Sequence, residues 1–359
     1  SIIINIIYNI IYIILYYIYK YIIMIDKKLI IYDKNNIEEL VVYNKNFKIL
    51  PTKQFYLNNV LYLNNNFILI ENKEIFNKKW NSNLNIKIKN EKYNNEINLT
   101  NTKINNNKCI SFNTIIIGNY YHFIIDFLPK IFIYKELNLN NDIYITRKNF
   151  NRFQLEFFEL IDFDYKKMKL FENDVLFKNE MIILSDSSGF CILKDGIPKY
   201  PIECMKKLLN KLIKEKKIVK KDKKNIYITR KNSNERHINN EEIIINLLKK
   251  YNFVIVELEN ISVLEQIDLF YNSNIVLAPH GAGSINIIFG DNIKVYIEIH
   301  NKNYVKMDNC FHQICDNLNI PHYCVHSNSV NNIKPHFSNF EFDNLECLEK
   351  LIKKYYIMK

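Results

Sequence analysis

Apolar and polar residues alternate along this chain in three distinct rhythms. From residue 28 to about 107, short apolar runs (LIIY, LVVY, FYLNNVLYL, FILI) are separated by clusters of Asn and Lys. Runs of that length predict strands joined by polar turns. Residues 114–135, TIIIGNYYHFIIDFLPKIFIYK, read as a strand-like TIIIG that leads into a helix. Helical spacing there puts His122 and Asp126 four apart on one face, with Pro129 tolerated at a kink. The third rhythm is the most regular. NIYITR (225–230), a helix from Asn240 through EEIIINLLKKY, FVIVELE (253–259), a helix from Ser262, NIVLAP (274–279), a glycine turn and KVYIEIH (294–300) alternate as strand and helix. Such alternation predicts a parallel sheet with helices on both faces. Ser262 and Glu265 have the spacing of a capping box, which fixes that helix start.

In a parallel sheet of this kind, the residues just beyond the C-terminal strand ends converge on one edge. Arg230, Glu259, His280 and His300 fall there, and Arg236 lies in the loop after the first of these strands. The stretch from Asn274 to Phe289, NIVLAPHGAGSINIIF, holds two of the chain's six glycines, Gly281 and Gly283. A strand, a glycine turn and a helix start present unpaired backbone N–H groups to an incoming anion. A short glycine motif alone is also read as a tight turn between buried elements. The two arginines strengthen the anion reading, because guanidinium forks bind diphosphate oxygens bidentately. The pair His122 and Asp126 reads either as a general base oriented by a carboxylate or as a half-buried structural pair.

Other features carry less. The heptapeptide IYITRKN occurs twice, at 143–149 and 226–232, and suggests two α/β units of similar start. Asp162 and Asp164 flank Phe163 in a pattern that binds a divalent metal in some glycosyltransferases, but here it follows a helix-like stretch. Residues 181–205 concentrate Gly and Pro and predict a linker, and the Lys-rich helix expected at 202–221 reads as a solvated face. Cys310, His312, Cys315, His322, Cys324 and His326 are dense in zinc-ligand residue types, but their spacing matches no common paired pattern. A final amphipathic helix is expected at 343–357, packing back across the domain boundary.

Composition changes this picture only slightly. Ile, Asn, Lys and Tyr are over-used while Gly and Trp are scarce, as an AT-rich coding sequence imposes, so the net charge of +11 over 359 residues is partly codon bias. A basic surface still attracts phosphates, anionic lipid or acidic glycans. No nucleic-acid motif accompanies the charge. Seven cysteines without regular spacing suggest reduced, buried thiols rather than a disulfide framework. Residues 1–19 carry no charge and have the length of a membrane-spanning helix, with lysines following that would keep the bulk of the chain on the cytoplasmic side. The stretch 1–23 reads in two ways: as a membrane anchor, giving a cytoplasm-facing membrane association, or as a mis-assigned start upstream of Met24, leaving a cytoplasmic protein.

Taken in order, YHFIIDFLP (121–129), ITR with RHINNE (228–230 and 236–241), SVLEQIDLF (262–270), APHGAGSINIIF (278–289) and YIEI (296–299) resemble the motifs of the glycosyltransferase 61 family. The resemblance spans about residues 112–300. Ser284 departs from it, standing where the family usually has an apolar residue, and nothing before residue 110 takes part. It implies a GT-B-like α/β fold, two Rossmann-like domains facing a cleft, here with the β-rich N-terminal portion. The expected division is 24–200 on the acceptor side, 201–330 on the nucleotide-sugar side and a C-terminal segment at 331–359. The implied activity is transfer of a sugar (hexosyl, pentosyl or N-acetylglucosaminyl) from a nucleotide-diphosphate donor to a glycan or protein hydroxyl, with inversion. It needs no metal and no cofactor beyond the donor, and no nucleic-acid partner. The resemblance places His122 as base with Asp126 as orienter or alternative base. It places Arg230, Arg236, Asn240, Glu241, Gln266, His280, Gly281, Ala282, Gly283, Asn286 and Glu298 on the donor side, with Glu298 expected at the ribose and Gln266 and Asn286 as donor contacts or supports. A non-catalytic sugar-nucleotide or glycan-binding protein, and a basic module for nucleic acid or membrane, are the competing readings.

Overall fold

The computed structural model describes residues 103–112, 114, 116–172, 199–301, 310–327 and 338–357, together with the strands at 37–40, 54–57, 60–63, 66–69, 74–76, 175–177 and 181–184. The apolar stretch 1–19 and most of the expected linker therefore lie outside the described residues. In chain order the strands are β1 (Ile37–Leu40), β2 (Gln54–Leu57), β3 (Val60–Leu63), β4 (Asn66–Leu69), β5 (Glu74–Phe76), β6 (Lys103–Asn105), β7 (Cys109–Ser111) and β8 (Asp142–Ile145). They continue as β9 (Lys169–Leu170), β10 (Val175–Phe177), β11 (Met181–Leu184), β12 (Lys224–Ile228), β13 (Phe253–Val256), β14 (Ser273–Pro279), β15 (Val295–His300) and β16 (His322–His326).

The C-terminal sheet has the order β13-β12-β14-β15-β16 and is parallel throughout. The chain enters at β12, steps to one side for β13, then crosses to β14 on the other side. The strand order therefore reverses between β12 and β14, which is where ligands bind in open α/β sheets. Alternate residues on each strand face opposite ways. Ile226, Ile228 and Tyr296 join one apolar cluster, while Tyr227, Leu277 and Ile297 join another, so both faces of the sheet are buried, as a parallel sheet requires.

The N-terminal half carries two sheets. One, β1-β2-β11-β7-β8-β9, is parallel from β11 through β9 with antiparallel β1 and β2 at one edge. The other, β5-β4-β3-β10-β6, takes up part of the β-rich segment expected from the early apolar runs; the start of FYLNNVLYL lies in β2 of the first sheet, and LIIY and most of LVVY lie outside the described residues. The larger apolar cluster is continuous from Ile110 to Ile320 and includes Phe123, Ile131, Leu208, Val263, Ile267, Ile285 and Phe289. One layer of helices thus shares its core between the parallel C-terminal sheet and the mixed N-terminal sheet.

Several expectations change in this setting. The described residues of the run 114–118 do not form a strand: β7 ends at Ser111, residues 116–118 form a turn, and Gln154 Nε2 donates to the Ile117 carbonyl at 2.7 Å, so a side chain replaces a neighbouring strand. The helix that follows runs through Tyr120–His122, a π turn at Phe123–Phe127 and the α-helix Leu128–Glu136. Leu128 N–H reaches back to the Phe123 carbonyl, and Pro129, which has no N–H to give, stands at the first turn after this wide loop. The Lys-rich helix occupies Lys199–Lys214, earlier and shorter than expected. The final helix, Leu345–Tyr356, was expected to cross between the two halves. Its buried Leu348, Ile352 and Tyr355 instead cover the outer face of the C-terminal sheet, because its apolar stripe matches that face. Beside it Tyr251 Oη donates to Glu349 at 2.7 Å.

Candidate active site at the sheet switch point

Strand β12 delivers its residues under control of a buried carboxylate. Glu241, at the start of the helix Glu241–Lys249, accepts from Tyr227 Oη and Thr229 Oγ1, each at 2.7 Å. This fixes the strand end from which Arg230 emerges. The Arg230 Nη2 then donates to Ser233 Oγ at 2.6 Å and to the Glu235 carbonyl at 2.9 Å, which folds the loop around its guanidinium. Across the switch point the guanidinium lies against Gly281, where an added Cβ would stand 2.2 Å from Nη1. Gly281 has φ −179°, an extended backbone any residue adopts, so glycine is needed here for room. Gly283 is equally confined, its Cβ position lying 2.6 Å from Leu258 Cδ1.

The electrostatics of this pocket are unbalanced. The Nε atoms of Arg230 and Arg236 are buried and find no hydrogen-bond partner among the described residues. Burial, and after it the neighbouring Arg236 charge, bring the Arg230 guanidinium down to about 10. Arg236 sits in the left-handed region at φ 57°, a conformation that carries a modest backbone cost outside glycine. Two neighbouring cations with unsatisfied buried donors, offset in part by the charges of Glu235 and Glu259, form an arrangement suited to an anion.

Behind the glycine turn lies a buried carboxylate with three histidines. Glu298 Oε1 meets His280 Nδ1 at 2.5 Å, and Oε2 meets His322 Nε2 at 3.0 Å and His300 Nε2 at 3.2 Å. Burial would raise the Glu298 carboxyl, but the hydrogen bonds from His280 and His322, with the His300 ring close by, outweigh it and hold it well below the usual carboxylate range. Glu298 is only 3% exposed. Its carboxylate thus acts on the turn through His280, and the expected ribose contact is occupied by protein groups.

His122 and Asp126 come to the same region from the N-terminal half. Asn119 caps their helix, accepting from Tyr121 N at 2.9 Å and His122 N at 3.3 Å. His122 Nδ1 lies 2.8 Å from Asp126 Oδ2, with the carboxylate side chain fully buried and the imidazole partly exposed. The pair spans a π turn, a distortion frequent at functional sites. Tyr120 Oη donates to Asn286 Oδ1 at 2.9 Å, and Asn286 Nδ2 donates to Gln266 Oε1 at 2.9 Å. Gln266 Nε2 donates to the Leu258 carbonyl at 3.0 Å. Tyr121 stands edge-on to Phe311 at 5.8 Å, and Phe311 to His280 at 5.5 Å. The histidine helix and the glycine turn are therefore fastened by direct contacts.

The structure separates the predicted residues into two groups. Arg230, Arg236, His280, Gly281, Ala282 and Gly283 gather at the switch point. Glu241, Gln266 and Asn286 are spent on internal hydrogen bonds that hold it. Asn240 exchanges hydrogen bonds with the Phe342 backbone at 2.9 and 2.8 Å and tethers the C-terminal segment. Asp162 pairs with Lys211 at 2.5 Å and Asp164 caps a short turn by accepting from Lys166 N at 3.1 Å, so these carboxylates have local roles. An open groove along β13, lined by Val254, Ile255, Leu264 and Asp268, includes none of the site residues. Sequence reasoning missed Glu156, which accepts from Val263 N at 2.6 Å and joins the two halves; no spacing signal marks it. Among the described residues no helix is long and apolar enough to cross a membrane.

No curated protein matches the chain. A family model does: the one described as Glycosyltransferase 61 matches residues 120–297, from the tyrosine that begins the histidine helix to the residue before Glu298. The match takes in the arginine loop, the capped helix and the glycine turn. Through this stretch the chain belongs to the glycosyltransferase 61 family.

Proposed function

We propose that this protein transfers a sugar from a nucleotide-diphosphate donor to a hydroxyl of a glycan or protein, with inversion, across a cleft between two Rossmann-like domains. The observation that carries this reading is the pair Arg230 and Arg236, whose buried Nε atoms lack partners among the described residues at the switch point of a parallel sheet. A donor diphosphate supplies the oxygens these groups lack, and the helix start at Ala282 adds backbone N–H donors.

The chemistry is a single displacement. The acceptor oxygen attacks the anomeric carbon from the face opposite the leaving group, the bond from that carbon to the diphosphate oxygen breaks, and its electron pair leaves with the diphosphate. Arg230 and Arg236 stabilise the charge that develops there, a role that needs no metal in the reaction itself. His122 takes the acceptor proton on Nε2, while Asp126, 2.8 Å from Nδ1, keeps the proton of the neutral ring on Nδ1.

The test is release of nucleoside diphosphate from a panel of sugar nucleotides, with and without glycan acceptors. Turnover with one donor supports the reading. Tight donor binding without release under any condition would identify a non-catalytic sugar-nucleotide binder instead.

A further inference from the structure

The transferase reading leaves the Cys/His-rich stretch 310–326 unused. The structure divides it: Cys310 and Cys315 are buried in the core, His312 pairs with Asp316 on an exposed helix face, and the remainder forms β16. In the parallel pairing of β15 with β16, Glu298 lies opposite Cys324 and Tyr296 opposite His322. Residues two apart on a strand share a face, so His322 and Cys324 both stand on the Glu298 side. The result is a compact triangle of three chemically different donors. His322 Nε2 is 3.0 Å from Glu298 Oε2, Cys324 Sγ is 3.9 Å from the same oxygen, and Cys324 Sγ is 3.8 Å from His322 Nε2.

Those separations are the edges of a coordination shell. Tetrahedral zinc, with bonds of about 2.0–2.1 Å to nitrogen and oxygen and about 2.3 Å to sulfur, sets its ligands about 3.3 Å apart for an N/O pair and about 3.6 Å apart when one is sulfur. Each observed edge lies within about 0.3 Å of that value. The donors are also held in place. The His322 ring stacks face to face on Tyr296 at 5.1 Å and 6°, which aims Nε2 at the carboxylate, and Glu298 Oε1 is anchored by His280 at 2.5 Å. Cys324 reaches the surface, which provides an entry path.

We propose that Glu298 Oε2, His322 Nε2 and Cys324 Sγ bind a borderline-soft divalent ion of the zinc class, with solvent in the fourth position. The mixed oxygen, nitrogen and thiolate set selects such an ion over calcium or magnesium, which prefer all-oxygen shells. Binding displaces the thiol proton and replaces the His322 to Glu298 hydrogen bond by two bonds to the ion. The ion is structural. It fixes one oxygen of Glu298 while the other holds His280, and so stiffens the support behind the glycine turn without entering the transfer reaction.

The experiment uses the full chain purified without a polyhistidine tag. Elemental analysis is expected to find a single zinc-class ion per chain. Cobalt(II) exchanged into the site is expected to show a thiolate-to-metal charge-transfer band in the near ultraviolet. Cys324→Ser and His322→Gln are expected to lose the ion and the band, and Cys347→Ser, which changes the other exposed cysteine among the described residues, to keep both. Wild-type protein that is free of metal and takes up cobalt without the band overturns the proposal, as does a Cys324→Ser variant that retains the band. The wild-type titration decides the matter even if a variant fails to fold. These readouts follow the metal and not turnover, so they stand or fall apart from the transferase reading.

Discussion

Arg230 lays its guanidinium against Gly281, leaving so little room that a Cβ on the glycine would come within 2.2 Å of Nη1. Gly281→Ala therefore displaces the arginine without straining the backbone, whose φ of −179° suits any residue. We expect affinity for a sugar nucleotide or pyrophosphate to fall at least about tenfold, a change of about 1.4 kcal/mol, with the melting transition preserved. Unchanged affinity by calorimetry would remove this contact from the anion site.

Removing either arginine tests the charge imbalance itself. Arg230→Ala and Arg236→Ala are each expected to weaken pyrophosphate binding by about 1.5–3 kcal/mol, the usual contribution of a charged hydrogen bond, and neither should unfold the protein, because each also relieves repulsion between the pair. Arg230→Lys should rescue poorly, since an ammonium lacks the planar fork. Equal binding by wild type and Arg236→Ala would sink the two-arginine assignment.

Binding should also depend on pH in a defined direction. The bound anion favours the charged guanidinium, and burial with the Arg236 charge places Arg230 at about 10. Pyrophosphate affinity is therefore expected to decline as pH rises through about 10. Arg230→Ala should lack this decline; a wild-type decline that persists in the variant would assign it to another group.

For the proton-transfer pair, His122→Ala should retain donor binding while the transfer rate falls by about 10²–10⁴, the usual contribution of a general base. Asp126→Asn should lower the rate with little change in donor affinity, because the carboxylate 2.8 Å from Nδ1 acts through the imidazole. Wild-type turnover in His122→Ala rules out the base assignment.

Acid stability provides an independent check on the buried cluster. In protein freed of metal by a chelator, the Glu298 carboxyl lies well below the ordinary range when folded, so its contribution is present above the unfolded value of about 4.3 and is lost progressively as pH falls below it. Urea midpoints should drop through that window in the wild type, and less steeply in Glu298→Gln, which starts lower at neutral pH. Parallel curves for the two proteins would contradict the paired carboxylate.

Much of this was legible in the chain because it depends on local order. The alternation after residue 225 specifies a parallel sheet, Ser262 and Glu265 specify a capping box that the structure shows at 2.7 and 3.3 Å, and the repeated IYITRKN marks two strands, β8 and β12, each of which precedes an arginine near a glycine: Arg147 beside Gly118 and Arg230 beside Gly281. The run 114–118 was misread because strand propensity carries no information about which partner is at hand, and Gln154 supplied the hydrogen bond instead.

The sequence by itself determined the α/β class, the order of the motifs and the residue types that could meet a diphosphate, since periodicity, capping and glycine placement are properties of neighbours along the chain. Only the tertiary structure decided which of those residues face the site and which support it. Glu241, Gln266 and Asn286 share the motifs of the arginines and the glycine turn, yet their polar atoms are satisfied by Thr229, Leu258 and Tyr120. Glu298, His322 and Cys324 became a cluster only when β15 and β16 paired in register. Strand pairing joins residues distant in sequence, and whether a buried polar atom is satisfied depends on those distant partners.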